Sequence, residues 1–520
     1  MLTTKNTVRT VSFMIFATLA AKILGMVRDI LLAGQYGTGM EAVAFLTASR
    51  IPLLFFDLGL GAAISSTFIP VFNQYLERGD KDAAVEFSNQ FLNIIILVSS
   101  FITLIGIIFS RQWVNIIAAG LDEKTYALTV QLVQILFPMI IFTGIAYAFV
   151  GILQSFNEFN VPAAISLISN GIVIFYFLFL VKHFGIFGLA LTMLFAWLAQ
   201  VIVQIPFLIK KGYSYRPVIS FTSEGIKRVS MLIIPILIST WVQPINAMVN
   251  IRLASYLNRG EAVAALDYAN RTYIIVIGVF TYALGNVIFP SLSRMNAANN
   301  KEEFAKTLNT ALRAVIYFIF PLMVGFIILR TAMVRFIYER GAFDSLSTQL
   351  TSTALLYYSL GMVGFGIQEI MNKAFYALHD ASTPMKIGVA GITLNIVLSF
   401  ILVQYMGIGG LALAASIAAI TISITLAAFI NKRVGGIINS LVFYDLGKIA
   451  AASLIMGVIA AATHRFAGSI LGDNTLLKQI LNLSLTGLVG MLVYAVLTLI
   501  LGVKEAKIAL DIIRDRFKRV

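Results

Sequence analysis

The 520-residue chain contains no cysteine. Disulfides and thiolate metal sites are therefore excluded, and cysteine usage says nothing of the redox compartment. Charge is scarce too: 12% of residues are charged and 59% apolar, with a mean hydropathy of +0.91. Too little polar surface remains to coat a soluble core of this size, which points to a polytopic membrane protein. Acidic residues are fewer than basic ones, 24 against 38, and the three histidines, His183, His379 and His464, are scattered. No connection between apolar runs exceeds about 25 residues, roughly half of what a small soluble domain needs, so chemistry would have to happen in the membrane. Gly59-Leu60-Gly61 lacks the Lys-Ser/Thr of a phosphate-binding loop and reads as close helix packing, which argues against an ATP-driven pump without a partner chain. The ten-residue alternating segments of a membrane β-barrel are missing as well.

What is present is an all-α pattern of about fourteen apolar runs, each long enough to span a bilayer. They lie near 11–33, 43–73, 84–109, 125–153, 162–182, 187–209, 227–256, 268–293, 304–329, 347–378, 384–406, 408–430, 445–463 and 477–501. The first follows Lys5 and Arg9 as a secretory signal would, but it carries Lys22 and Arg28 and has no small-residue cleavage site, so a retained helix is expected.

An internal repeat organises these runs. Glu41-Ala42-Val43-Ala44 recurs as Glu261-Ala262-Val263-Ala264, and Phe68-Ile69-Pro70 is echoed by Ile288-Phe289-Pro290. Pro162 pairs with Pro384, and the stretch from Gly185 to Leu191 with that from Gly407 to Leu413. The chain thus reads as two six-helix lobes, 1–215 and 216–435, followed by an appended pair of helices within 436–503 and a basic amphipathic tail at 504–520. Because six is even, both copies enter the membrane in the same sense and the repeat is parallel.

With the N-terminus cytoplasmic, about 22 of the 38 Lys and Arg fall on inner connections and about 9 on outer ones, the bias that the positive-inside rule requires. Both termini are then cytoplasmic. The tail is expected to lie on anionic headgroups with Ile508, Ile512 and Ile513 turned to lipid. Net charge of +14 is therefore mostly topology, and no nucleic-acid partner is needed to explain it.

Five basic residues inside the apolar runs stand out, since each costs roughly 2.5–3.5 kcal/mol to insert. Arg28 and Arg252 lie near the outer ends of helices one and seven, Arg50 and Arg271 near those of helices two and eight, and Lys22 lies deeper, sharing a stripe with Asp29. In parallel-repeat transporters these hairpins face a common cleft, which would gather the arginines around one solvated cavity. A plainer reading also stands: an Arg about one turn inside a helix can reach the headgroups, and Arg28 beside Asp29 can be a self-neutralising pair. The intramembrane carboxylates Asp29, Asp57 and Glu369 are outnumbered by these five bases together with Arg313 and Lys373, although Glu369 and Lys373 are spaced to pair with each other. A net positive interior suits a phosphate-bearing substrate, since the planar guanidinium binds phosphate bidentately.

Several stretches together resemble the MurJ (MviN) lipid II flippases of the multidrug/oligosaccharidyl-lipid/polysaccharide exporter superfamily. They are Leu24-Gly25-Met26-Val27-Arg28-Asp29, Tyr36-Gly37-Thr38-Gly39-Met40, Tyr268-Ala269-Asn270-Arg271, Phe289-Pro290-Ser291-Leu292-Ser293 and the run from Phe375 to Pro384. The resemblance spans the whole chain. It implies export of an undecaprenyl-diphosphate-linked peptidoglycan precursor across the bacterial cytoplasmic membrane by alternating access, with no enzymatic step. By the same resemblance Arg28 and Arg271 would hold the pyrophosphate, Arg50 would be a basic cavity position, and Asp29 would partner Arg28. Helices thirteen and fourteen would form a groove for the polyprenyl tail. Lys22 stands where many members have Arg, Val43 where many have Asp, and Phe56-Asp57 where some have paired arginines. Asn250 occupies a position that is acidic in members with a sodium site, so Asn250 and Asp380 are candidates for a site for Na+ or another monovalent cation. No other cofactor or metal is expected. A monomer is expected, with wall-synthesis proteins as candidate partners.

Two rivals fit the residues less well. A flippase for another polyprenyl-diphosphate saccharide, such as a capsule, teichuronic or spore-envelope precursor, would usually lack the last two helices. A non-transporting scaffold would leave the repeat-related arginines without a role.

Overall fold

A computed structural model describes residues 4–61, 64–436, 440–472 and 475–517. Its described residues are helical almost throughout. Among the described residues nine helices are long and apolar enough to cross a membrane, or up to eleven when two sharply bent pairs are each taken as one span. Asn160–Lys210 counts among the nine as one 51-residue span, yet straight it would be about 75 Å long against a hydrocarbon core of roughly 30 Å. It breaks at Gly185, where φ is 53° and ψ −148°, between the runs expected at 162–182 and 187–209. The first helix, Thr4–Tyr36, and the pair Glu224–Thr240 and Val242–Ser255 coincide with the first and seventh runs. Thirteen of the fourteen apolar runs thus correspond to a helix or a bent helix pair, and run two is described as α-helical segments with π-type turns between them.

The backbone repeats its conformation at one of the places where the sequence repeats. Gly407, 222 residues after Gly185, has φ 52° and ψ −127° at the junction of Ser382–Met406 and Ile408–Val434. Only glycine adopts this region without strain, so the same residue turns the chain between helices five and six and between eleven and twelve. The bent pairs correspond as well: Glu123–Leu136 with Met139–Ser155 bends by 41°, and Ser345–Ser359 with Met362–Ala377 by 50°.

The chain forms two compact units. One comprises Met1–Ala264 with Arg340–Phe343, and the other Ala265–Glu339 with Asp344–Val520. The boundary falls after helix seven, some fifty residues later than the repeat boundary at 215/216, because contacts and sequence duplication are different properties of the chain.

In the first unit, Thr4–Tyr36 packs on Asn160–Phe175 and Met40–Phe56 on Glu123–Leu136. Run two leaves the α-helical path through π-type turns at Asp57–Gly61 and Ile64–Phe68 before resuming at Ile69–Glu77. Below it Phe68 stacks on Phe72 and Phe91 at 5.4 and 4.5 Å between ring centroids. On Lys81–Ile108, Asn89 and Asn93 stand one turn apart and hold an irregular strap. Their amides donate to the carbonyls of Ser214, Arg216 and Val218, while the hydroxyls of Tyr213 and Tyr215 donate back to their oxygens.

In the second unit, Lys301–Tyr338 is the axis onto which the appended pair, Ser440–Leu471 and Leu476–Ile500, is welded. Ile316, Tyr317 and Val324 form a core with Ile449, Ala452, Met456 and Tyr494, and the Tyr494 hydroxyl donates to the Tyr317 carbonyl at 2.7 Å. The tail is helical over Lys504–Phe517. The side chains of Ile512 and Ile513, and residues 518–520, lie outside the described residues.

Candidate functional site

Helix one presents its charged residues toward helix five. Arg28 and Asp29 fall where Thr4–Tyr36 packs on Asn160–Phe175, and the Arg28 side chain retains 23% exposure against 7% for Asp29. Arg28 Nε and Nη2 donate to Asp29 Oδ1 at 3.1 and 2.9 Å, and Nη1 donates to Asn170 Oδ1 at 3.1 Å. Asn170 in turn donates to the Ala21 carbonyl at 3.2 Å. The buried amide therefore ties the guanidinium of one turn to the backbone two turns earlier, and the fork has a fixed direction. An ion pair with Asp29 is what the adjacency predicted. Asn170 was not foreseen, although a lone Asn-Gly within run five was the signal for it.

Lys22 is half-buried on the same helix. Arg50 is exposed, as is Asp57. Met40–Phe56 begins ten residues before Arg50, which therefore lies about 15 Å along the helix axis from its start.

Arg252 has a different use. Its Nη1 donates to the carbonyls of Asn115 and Ile116, the last turn of the short helix Ser110–Ile117. A cation there satisfies orphan carbonyls and opposes the negative end of the helix dipole. Ser255 completes the joint, accepting from Gly120 N–H at 3.0 Å and donating to the Arg252 carbonyl at 2.7 Å. Neither the cavity nor the headgroup reading anticipated this helix-capping role.

In the second unit, Arg271 lies on Glu261–Ala297 and pairs through Nε with Asp267, one turn earlier. The two side chains are 30% and 15% exposed. Tyrosines fix the opposite face of the helix: the Tyr268 ring lies 5.2 Å from Tyr338, whose hydroxyl meets Thr272 Oγ1 at 3.1 Å, and Tyr273 stacks on Tyr358 at 5.1 Å. Packing of that face leaves Asp267 and Arg271 turned out of the core. Asp267 was overlooked because it precedes run eight, yet its spacing of four from Arg271 marked it as a partner.

Glu369 and Lys373 approach to 4.0 Å, as their spacing suggested. Arg313, counted among the uncompensated cations, is instead held between Glu505 and Asp445. The positive excess of the interior is correspondingly smaller than the sequence alone indicated.

The candidate cation ligands have separate partners. Asn250 Nδ2 donates to Asn246 O and Oδ1 at 3.0 and 3.3 Å in the first unit. Asp380, in the second, accepts from Thr383 N–H at 3.0 Å and pairs with Arg433 at 2.6 Å, across the start of Ser382–Met406. The Thr383 hydroxyl and N–H, aided by the Arg433 charge, hold the Asp380 carboxyl below its usual range. Among the described residues no group of three or more His, Asp or Glu could hold a metal ion.

The family model described as "Lipid II flippase MurJ" matches residues 32–481. The chain belongs to the lipid II flippase MurJ family. A probable lipid II flippase MurJ from Rhizobium tropici is 29% identical over 499 residues, covering 94% of this chain and 92% of its own. A solved structure described as "Lipid II flippase MurJ, inward closed conformation" aligns with a TM-score of 0.78 at 27% identity, over 94% of this chain and 98% of that one. An inward-facing multidrug resistance MATE transporter of the MOP superfamily aligns with a TM-score of 0.70 at 15% identity, over 80% of this chain and 94% of that one, a likeness of fold alone. The chain is a transporter of the MurJ lipid II flippase family, a bacterial multi-pass membrane protein and not an enzyme. Membership removes the scaffold reading and disfavours a flippase for capsule or spore-envelope lipids.

Proposed function

We propose that the protein carries a polyprenyl-diphosphate-linked peptidoglycan precursor from the cytoplasmic to the outer leaflet by alternating access, with both termini cytoplasmic and with Arg28 and Arg271 as phosphate-binding residues. What supports this reading most is that each unit holds one half-exposed arginine beside a carboxylate within an apolar helix, at 23% and 30% exposure. The carboxylate lowers the cost of keeping the guanidinium charged in the membrane and orients it. A pyrophosphate carries more charge than a single carboxylate and matches the planar fork, so it competes for the same N–H groups when it arrives. When it leaves, Asp29 and Asp267 receive the arginines back, which keeps binding weak enough for release. Arg50 and Lys22 add positive charge to the first unit. Arg252 is omitted from the phosphate-binding set because its guanidinium caps a helix.

The test is complementation of a flippase-depleted bacterium by variants present as the only copy, with lipid II exposure at the outer leaflet measured and corrected for expression. Arg271→Ala abolishes flipping, and Arg271→Lys, which keeps charge but loses the fork, lowers it by about tenfold or more, the scale of a lost charge-assisted hydrogen bond. Arg335→Ala is nearly silent, since Arg335 is 44% exposed and pairs with Glu339 one turn away. Full flipping by Arg271→Ala sinks the assigned role. Equal losses from Arg271→Ala and Arg335→Ala would show that only general positive charge matters.

A further inference from the structure

Arg313 engages two carboxylates in the second unit. It lies on Lys301–Tyr338 with its side chain 14% exposed. Nε donates to Glu505 Oε1 at 2.6 Å, and Nη2 reaches both Asp445 Oδ2 and, at 3.4 Å, Glu505 Oε2. The carboxylates are themselves 15% and 10% exposed. Asp445 lies in the second turn of Ser440–Leu471 and Glu505 follows Leu476–Ile500, so one guanidinium gathers the beginning and the end of the appended pair. Val503 and Ala506, at 0% and 4% exposure, enter the core formed with Ile449 and Tyr494. The first turn of the tail helix therefore has a fixed inward face.

Its outward face is then fixed as well. Lys504, Lys507 and Ile508 are exposed there, Ile508 at 52%. Residues 504–520 carry six basic and three acidic side chains, and with Glu505 committed to Arg313 the positive excess that can be presented rises by one. An apolar side chain set among lysines immediately after a membrane span fits a surface of anionic lipid headgroups, where the apolar group enters the acyl boundary and the ammonium groups meet phosphate.

We propose that the Arg313–Glu505–Asp445 clasp sets the tail helix against the anionic membrane surface, with Ile508 immersed. The inference rests on helix fourteen being a membrane span and is independent of the phosphate-binding assignments.

The absence of cysteine makes the test direct. A single Ile508→Cys in the full chain carries one nitroxide, and its collisions with dissolved oxygen and with a water-soluble nickel chelate are measured in nanodiscs. The oxygen-to-nickel ratio is expected to be high in phosphatidylcholine discs containing phosphatidylglycerol, and to fall in pure phosphatidylcholine and at high salt. Adding Glu505→Gln raises the positive charge of the tail, so attachment by charge alone would strengthen. The clasp predicts the reverse, a fall of the ratio to its value in neutral discs. Arg313→Lys, which keeps the charge and loses the fork, gives the same fall in a background that avoids an unpaired buried carboxylate. A water-favoured label in both kinds of disc overturns the proposal, as does an unchanged ratio in both variants. Protection from both reagents would indicate a protein contact and overturn it too. Transport is not the readout, so any of these results leaves the flippase reading standing.

Discussion

Charged residues in this chain are distinguished by their partners rather than by their depth. Arg28, Arg252, Arg271 and Arg313 all sit in apolar runs, yet one is steered by a carboxylate and an amide, one caps a helix, one pairs along its own helix, and one joins three segments. Asp380 shows how such partners become measurable. Its folded pKa is depressed, so its contribution is fully present above the unfolded value near 3.8 and is lost as pH falls through the lower folded value. Asp380→Asn is expected to lower the thermal stability of the purified protein at pH 7 by the equivalent of about 0.5–2 kcal/mol, the usual scale of a side chain that caps a helix. The difference between wild type and variant should shrink below about pH 3.8, where the carboxyl of the unfolded chain takes up its proton while the folded one is still charged. A difference that stays constant from pH 7 to pH 3 would show that the carboxylate charge is not what stabilises this turn.

Among the elements, the junction between helices one and two decides more than its length suggests. The motif Tyr36-Gly37-Thr38-Gly39-Met40 contains two glycines with different duties. Gly37 has φ +58°, and a Cβ there would lie 2.4 Å from the Ala342 carbonyl oxygen. The segment Arg340–Phe343 belongs to the first unit for this reason: Ala342 N–H donates to the Gly34 carbonyl at 2.8 Å, and a Cβ on Gly341 would stand 2.2 Å from that same oxygen. Gly39 has φ −72° and its nearest atom would be at 3.5 Å. Gly37→Ala should therefore destabilise the detergent-solubilised protein, seen as a lower melting temperature, by about 1–2 kcal/mol from the left-handed backbone alone and more from the collision. Gly39→Ala should be close to neutral. Equal effects at the two positions would refute the close approach. The motif was visible in the sequence, but which glycine was indispensable depended on a segment three hundred residues away.

For the molecule as a whole, the direction of transport has an electrical consequence. A pyrophosphate-linked lipid carries about two negative charges, and moving each across an inside-negative potential is worth roughly 2.3 kcal/mol per 100 mV. In proteoliposomes with an imposed potassium diffusion potential, flipping toward the positive side should accelerate and the reverse should slow. Indifference to the potential would mean that a counter-charge travels with the substrate, which would return attention to Asn250 and Asp380 as cation ligands.

The all-helical membrane class, the apolar runs and the arginines within them were legible from the residues, because hydropathy, helical rise and repeat offset are properties of neighbouring positions along the chain. Gly185 and Gly407 illustrate this: one motif, repeated after 222 residues, gave the same left-handed turn twice. What each arginine does was decided only by the fold. Asn170 reaches Arg28 across 142 positions, the Asn115 and Ile116 carbonyls meet Arg252 across more than 130, and Glu505 meets Arg313 across 192. Such partners are chosen by which helix faces come together. Where helices bury most of the apolar surface, the few polar groups left between them must find hydrogen bonds there or go without.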